Sequence, residues 1–424
     1  MAFKDRLQEV KVGFLPSFWV ANITELFERL SYYGQQAVLA IFLSEQLHFT
    51  QQQTGDLIGY FGFVVWLLPI LGGTLADRFG FRRSLSFAYL ILAVGYFLMG
   101  SLASPWMAPL RNTLTPYWMV FAILMVPALG PSIVKPCVVG TTAMAAKENV
   151  RSLGYSIYYT LVNIGGTLGP IVAFLVRRSI GIENVFRVSA LSVLLMFFAT
   201  LIFYKDAPVA SDKQVTSIAA ALKNTLKVLT NLRFMLFLII FSGFWIVFWQ
   251  EFIAFPLYIR RYVDPNYNVD LLLSVDPATV IFFQVVVTYL TRKIPSFTAM
   301  TLGLLITSLS WLFVSAGNSS WLFVAALIVL AIGEMVQAPR YYEYISRLAP
   351  EGQQGTFMGY SFLPIAIGFL LAGKIGGRLV HYYGEVIHQP MRLWWVITAI
   401  GVGTTVLMML YNKLVMPKTS GATA

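Results

Sequence analysis

The chain has 424 residues, of which 58% are hydrophobic and 12% charged, about half the ~25% charged content of an ordinary soluble protein. Its net charge of +11 is scattered through short stretches between apolar runs, a pattern that fits anionic lipid and a topology bias and argues against nucleic acid. Cys137 is the one cysteine, His48, His381 and His388 lack ligand spacing, and no polar stretch approaches the ~100 residues of a catalytic domain, so a disulfide framework, a metal centre and an enzyme are all disfavoured.

A helix needs about 20 apolar residues to cross a bilayer core about 30 Å thick. Apolar runs bounded by Gly, Pro or charge fall at 14–43, 54–76, 84–103, 116–140, 154–176, 185–204, 232–258, 277–290, 296–316, 321–346, 354–376 and 392–414. They predict an all-α membrane protein with twelve transmembrane helices, of which 277–290 is short enough to need its flanks. The first run carries Glu25, Glu28 and Arg29, unlike the apolar core of a cleavable signal, and is expected to be retained. The longest polar connection, 205–231, holds Lys205, Lys213, Lys223 and Lys227 and divides the chain into a bundle over 1–204, a cytoplasmic linker and a second bundle over 232–424. With both termini cytoplasmic the inner segments hold 18 Lys and Arg and the outer segments 8, leaving Arg29, Lys135, Arg340 and Lys374 inside runs. That asymmetry supports a multi-pass protein of the cell membrane with both termini inside.

Six helices, a basic linker and six helices is the layout of transporters whose halves rock about a midplane site. Between the second and third runs, Gly73-x-x-x-Asp77-Arg78-x-Gly80-x-Arg82-Arg83 resembles the loop signature of the major facilitator superfamily. Arg82 and Arg83 are explained by topology alone, but Asp77 gains nothing from that rule, so Asp77 and Arg78 are read as a latch that bonds a facing helix end in one conformation.

An ionised side chain near the bilayer centre costs on the order of 3 kcal/mol, so each needs a partner or a role. Glu25 and Arg29 lie i,i+4 and Glu28 three residues after Glu25, so two carboxylates share one guanidinium. With both ionised the group is net negative, and burial favours protonating one of them, which suits a proton site. Lys135, in Gly130-Pro-Ser-Ile-Val-Lys135-Pro136, falls in the inner half of its run and Glu334 near mid-depth; both are expected to face a central cavity, the competing reading for Lys135 being snorkelling to the interface. Tyr159 and Asn163, one turn apart, either reach a substrate or bond each other across helices, while Gly165, Gly166 and Gly169 permit close packing. Arg340, Glu343 and Arg347 read as a self-satisfied structural or gating ladder, Glu251 as an intramembrane acid whose facing the spacing leaves open, and Lys374 as a snorkelling anchor. Gly368-x4-Gly373-Lys374 imitates a phosphate loop, but Ile375 replaces the magnesium-binding hydroxyl, so nucleotide is rejected and no cofactor beyond protons as coupling ion is expected.

Together Glu25-x-x-Glu28-Arg29-x-x-Tyr32-Tyr33-Gly34, Gly72-Gly73-x-x-Ala76-Asp77-Arg78, Lys135-Pro136, Tyr159-x-x-x-Asn163-x-Gly165, Gly333-Glu334-x4-Pro339, Arg347-Leu348-Ala349-Pro350 and Phe357-Met358-Gly359 resemble the proton-coupled oligopeptide transporters. The resemblance implies symport of short peptides. Glu25, Glu28 and Arg29 would couple protonation to binding, Lys135 and Arg29 would meet the peptide carboxylate, Glu334 its amino group, and Tyr33, Tyr159 and Asn163 would line the site. Two departures matter: Gln36 stands where the family has an arginine, and Trp245, Trp249 and Gln250 leave the seventh-helix acid missing or displaced to Glu251. In the family those charges are thought to pair, so Gln250 and Glu251 mark a coupling or gate position that differs here. The expected partners are a small zwitterionic or anionic solute and the bilayer, with the monomer as functional unit. Export of drugs or metabolites in exchange for protons is the alternative, and a non-transporting receptor or scaffold the second.

Overall fold

A computed structural model describes residues 13–70, 79–113, 115–205, 228–349 and 354–415. Its long helices in chain order are α1 (Pro16–Ile41), α2 (Gln51–Leu67), α3 (Phe81–Gly100), α4 (Pro116–Ala145), α5 (Arg151–Ile180), α6 (Glu183–Phe203), α7 (Leu232–Phe248), α8 (Val275–Thr291), α9 (Ser296–Ala316), α10 (Ser320–Leu348), α11 (Leu363–His381) and α12 (Arg392–Leu414). Among the described residues, ten helical segments are long and apolar enough to cross a membrane. The two long helices outside that set have evident reasons: α1 holds Glu25, Glu28 and Arg29, and α2 is 17 residues long.

Helix starts follow local chemistry. Thr50 and Gln53 form a reciprocal cap at the start of α2, and Pro16 and Pro116 stand in the first turns of α1 and α4, where a missing N–H costs nothing. Three predicted runs are interrupted or extended. The seventh is continuous only to Phe248; a 3-10 turn at Trp249–Glu251 follows and helix resumes at Ala254–Tyr258, because Pro256 cannot donate to Phe252. The eleventh splits into Gln354–Tyr360 and α11 at a turn before Pro364. The short eighth run gains Val275 and Asp276 at its start and is preceded by a helical turn, Val269–Leu272. Residues 206–227 of the expected linker (205–231) and the latch at Asp77 and Arg78 lie outside the described residues.

Among the first six helices α1 packs on α4, α5 and α6, and α3 on α4 and α6; among the last six α9 packs on α10 and α12, α7 on α11 and α12, and α8 on α10. The two sets meet chiefly where α2 lies along α11 and α5 along α8. The α2–α11 contact is backbone to backbone: a Cβ on Gly55 would clash with the Gly373 carbonyl oxygen, so glycine is required there by the approach itself, and one on Gly59 would stand 3.0 Å from the Leu370 carbonyl oxygen. Outward faces are apolar, with Phe282 76% and Leu290 71% exposed on α8, as a lipid-facing surface requires.

Candidate functional site

The buried ionisable cluster of α1 differs in one respect from the spacing argument. Arg29, 1% exposed, makes both of its direct bonds to the adjacent Glu28: Nε to Oε2 at 2.5 Å and Nη2 to Oε1 at 2.8 Å. Glu25, one turn away, is 3.6 Å from Nε and neither of its carboxyl oxygens has a hydrogen-bond partner. Successive residues point apart on a helix, but the long arginine arm curls back over the Tyr32 ring, its guanidinium carbon 4.9 Å from the centroid, and reaches its neighbour. Two carboxylates therefore share one guanidinium unequally: Glu28 takes both hydrogen bonds and Glu25 only the 3.6 Å approach.

A chamber of about 160 Å³ lies between the two sets of helices. Tyr33 of α1, Trp66 of α2, Lys135 of α4, Tyr159 and Asn163 of α5, and Glu334 of α10 all line it. Lys135 does not snorkel: its ammonium sits 4.3 Å from the centroid of Trp66, and none of the ion pairs among the described residues includes it. Asn163 donates to the Tyr159 backbone carbonyl at 2.9 Å, so the two do not pair across helices. Arg29 is not part of the chamber lining. The resemblance had assigned it the peptide carboxylate beside Lys135; held by Glu28 behind Gly165, it reaches no chamber surface here.

Gln250 donates to the carbonyls of Ile246 and Ala372, a packing role against α11. Glu251, carried by the 3-10 turn, is fully buried with both oxygens unpartnered. Arg340, Glu343 and Arg347 form the expected ladder, with Glu343 accepting from Arg340 at 2.8 Å and from Arg347 at 2.5 Å, and Arg340 also ties α10 to the Thr291 carbonyl. Lys374 is no lipid anchor: it donates to the Tyr60 hydroxyl at 3.1 Å, bridging α11 and α2. The chamber residues that escaped the sequence reading include the acid Asp276 and the amide Gln337, besides the aromatic Trp66, Tyr341 and Tyr342. Asp276 precedes Pro277 at a helix start, a pattern that reads as an ordinary helix-dipole partner, and Gln337 carries no charge to draw notice.

The chamber is closed at one end and open at the other. Toward the end where α5 finishes and α8 begins, three ion pairs join residues before 205 to residues after 228: Arg177–Asp270 at 2.7 Å, Arg260–Glu45 at 2.6 Å and Arg378–Asp56 at 2.8 Å. Toward the end where α5 begins, a cleft of about 880 Å³ between α5, α8 and α10 shares Tyr159, Asn163, Ala338 and Tyr342 with the chamber. The cleft falls within the ~300–1,000 Å³ typical of small-molecule sites.

A family model described as Major Facilitator Superfamily matches residues 22–373 and 265–423. Among curated relatives, a dipeptide and tripeptide permease B of Edwardsiella piscicida is 24% identical, with 94% of this chain and 94% of that protein covered. A Na(+), Li(+), K(+)/H(+) antiporter of Planococcus maritimus is also 24% identical, over 84% of this chain and 88% of that one. Among solved structures, a POT family transporter in complex with a thioalcohol conjugated peptide superposes with a TM-score of 0.76 at 16% identity, covering 93% of this chain and 96% of that one. Its relatives and structural neighbours are transporters, not enzymes. With the match spanning nearly all of its length, the chain belongs to the Major Facilitator Superfamily.

Proposed function

We propose that the chain is a proton-coupled importer of short peptides or peptide-like solutes, of the oligopeptide-transporter branch, working by alternating access. Twelve crossings in two six-helix bundles, α1–α6 and α7–α12, would place both termini in the cytoplasm and the open cleft on the cytoplasmic side, with the monomer as functional unit. The observation that carries the reading is the placement of Lys135 and Glu334, from opposite halves of the chain, on one enclosed chamber. A base and an acid on one chamber match the carboxylate and ammonium of a zwitterion, each as a charge-assisted bond. The permease relatives and peptide-transporter folds support the same class.

In the cycle, protons enter from outside at Glu25 and Glu28, and solute binds with its carboxylate at Lys135 and its amine at Glu334. Protonation of Glu28 removes the negative charge that holds Arg29, which is then able to turn toward Lys135 and the carboxylate. Inward opening through the α5–α8–α10 cleft releases both. Each positive charge carried inward gains about 2.3 kcal/mol per 100 mV. Proteoliposomes given an inward proton gradient are expected to accumulate di- or tripeptides, and Lys135→Ala or Glu334→Gln to abolish accumulation while the melting temperature is kept. Full gradient-driven uptake by both variants would reject the assignment. Proton-driven export is the second reading, favoured by the antiporter relative; the direction of flux under a known pH gradient separates them.

A further inference from the structure

The wall built by α8, α10 and the turn after α7 carries more carboxyl groups than one substrate ammonium uses. Beside Glu334, Asp276 at the head of α8 lines the same chamber; it is 6% exposed and its Oδ1 has no hydrogen-bond partner. Glu251, between the chamber residues Trp249 and Phe252, is 0% exposed with both oxygens unbonded. None of the ion pairs among the described residues engages any of the three. An independent feature points the same way. Gln337, three residues after Glu334 and 0% exposed, also lines the chamber, and neither polar atom of its amide has a partner. Buried acceptors left unmatched are a cost that an incoming donor relieves.

We infer that Asp276 and Gln337, backed by Glu251, form a second cation-recognising subsite that selects solutes bearing a basic group besides the terminal ammonium, namely dipeptides with a lysine or arginine side chain. The terminal ammonium occupies Glu334, and the side-chain cation reaches Asp276 and the Gln337 carbonyl. A zwitterion without a second cation leaves Asp276 to be neutralised by a proton, so basic and neutral peptides differ in binding. The inference rests on the peptide reading above, and the test separates the two.

Equilibrium binding of Lys-Ala, Ala-Ala and Ala-Glu to the purified full-length protein is the first readout, and gradient-driven uptake in proteoliposomes the second. Lys-Ala is expected to bind at least about tenfold more tightly than Ala-Ala, as a charge-assisted bond to a buried acid implies. Asp276→Asn, near-isosteric and monitored for its melting temperature, is expected to bring the ratio of the two affinities close to one, and Asp276→Glu to restore part of it. Equal affinities in the unmodified protein, or a ratio unchanged in Asp276→Asn, overturn the subsite even if uptake is robust. A pH dependence that shifts in Asp276→Asn while the ratio stays put assigns Asp276 to proton carriage and overturns it equally. Preference in binding without uptake upholds the subsite and overturns the transport reading; binding of none of the three peptides overturns both.

Discussion

Arg29 shows how one residue is made indispensable by what it neutralises. Removing its charge would strand Glu28, which accepts both of its direct bonds, and Glu25, whose oxygens already lack partners. Breaking a buried pair by deleting one member costs about 3–5 kcal/mol, whereas replacing both members by neutral groups of similar shape is often tolerated. Arg29→Met is therefore expected to lower the melting temperature of the detergent-solubilised protein sharply, and Glu28→Gln combined with Arg29→Met to recover most of the loss. A double variant as unstable as the single one would show that the damage lies in packing against Tyr32. The cluster was legible in sequence because charge in an apolar run has few explanations, yet the partner choice was not. Spacing had the two acids share Arg29, and only the folded arginine arm reveals that Glu28 takes both bonds. Asp276 was hidden for the opposite reason: an acid at a helix start needs no special explanation, so its exposure to the chamber becomes visible only once α8 is set against α5 and α10.

Single helices were legible as apolar runs, but their interruptions decide function and depend on context. The 3-10 turn at Trp249–Glu251 follows from Pro256 four residues beyond Phe252, and it turns Glu251 inward while Gln250 packs on α11. The α2–α11 contact is written as Gly55, Gly59 and Gly62 on one helix and Gly373 and Gly377 on the other, a small-residue seam that lets two backbones touch. Gly59→Leu is expected to destabilise the protein by about 1–3 kcal/mol through overpacking, read as a lowered melting temperature. Gly403, where an added Cβ would meet no atom within 4 Å, supplies the control: Gly403→Ala should leave the melting temperature unchanged or raise it slightly. Equal effects at both positions would mean that the seam is not tight.

At the scale of the molecule, the closed end is held by pairs no local pattern could announce. Arg177–Asp270, Arg260–Glu45 and Arg378–Asp56 join residues 93, 215 and 322 positions apart, and in the sequence the arginines read only as outer-loop charges. Glu45 and Arg260 both sit in π-helical turns that end their helices, which widens the turn and swings the side chains across the gap between halves. Pairs that are partly exposed contribute about 0–1 kcal/mol each, too little to fix a fold but enough to bias two packed arrangements of similar energy. At about 0.5 kcal/mol each, three such pairs shift the ratio of the two states by about tenfold. The combined variant Glu45→Gln, Asp56→Asn, Asp270→Asn should therefore favour the arrangement open at the end where α8 begins. In a Cys137→Ser background, a reporter cysteine at Phe252, buried on the chamber wall beside Tyr33, is expected to react faster with an impermeant thiol reagent applied from that side. A second reporter at Ser156, in the opposite cleft, should react more slowly from its own side. High salt should reproduce part of the shift in the protein with all three pairs intact, since screening weakens exposed charges over about 10 Å at 0.1 M. Labelling rates that stay the same at both reporters would mean that helix packing alone, chiefly the α2–α11 seam, keeps that end shut.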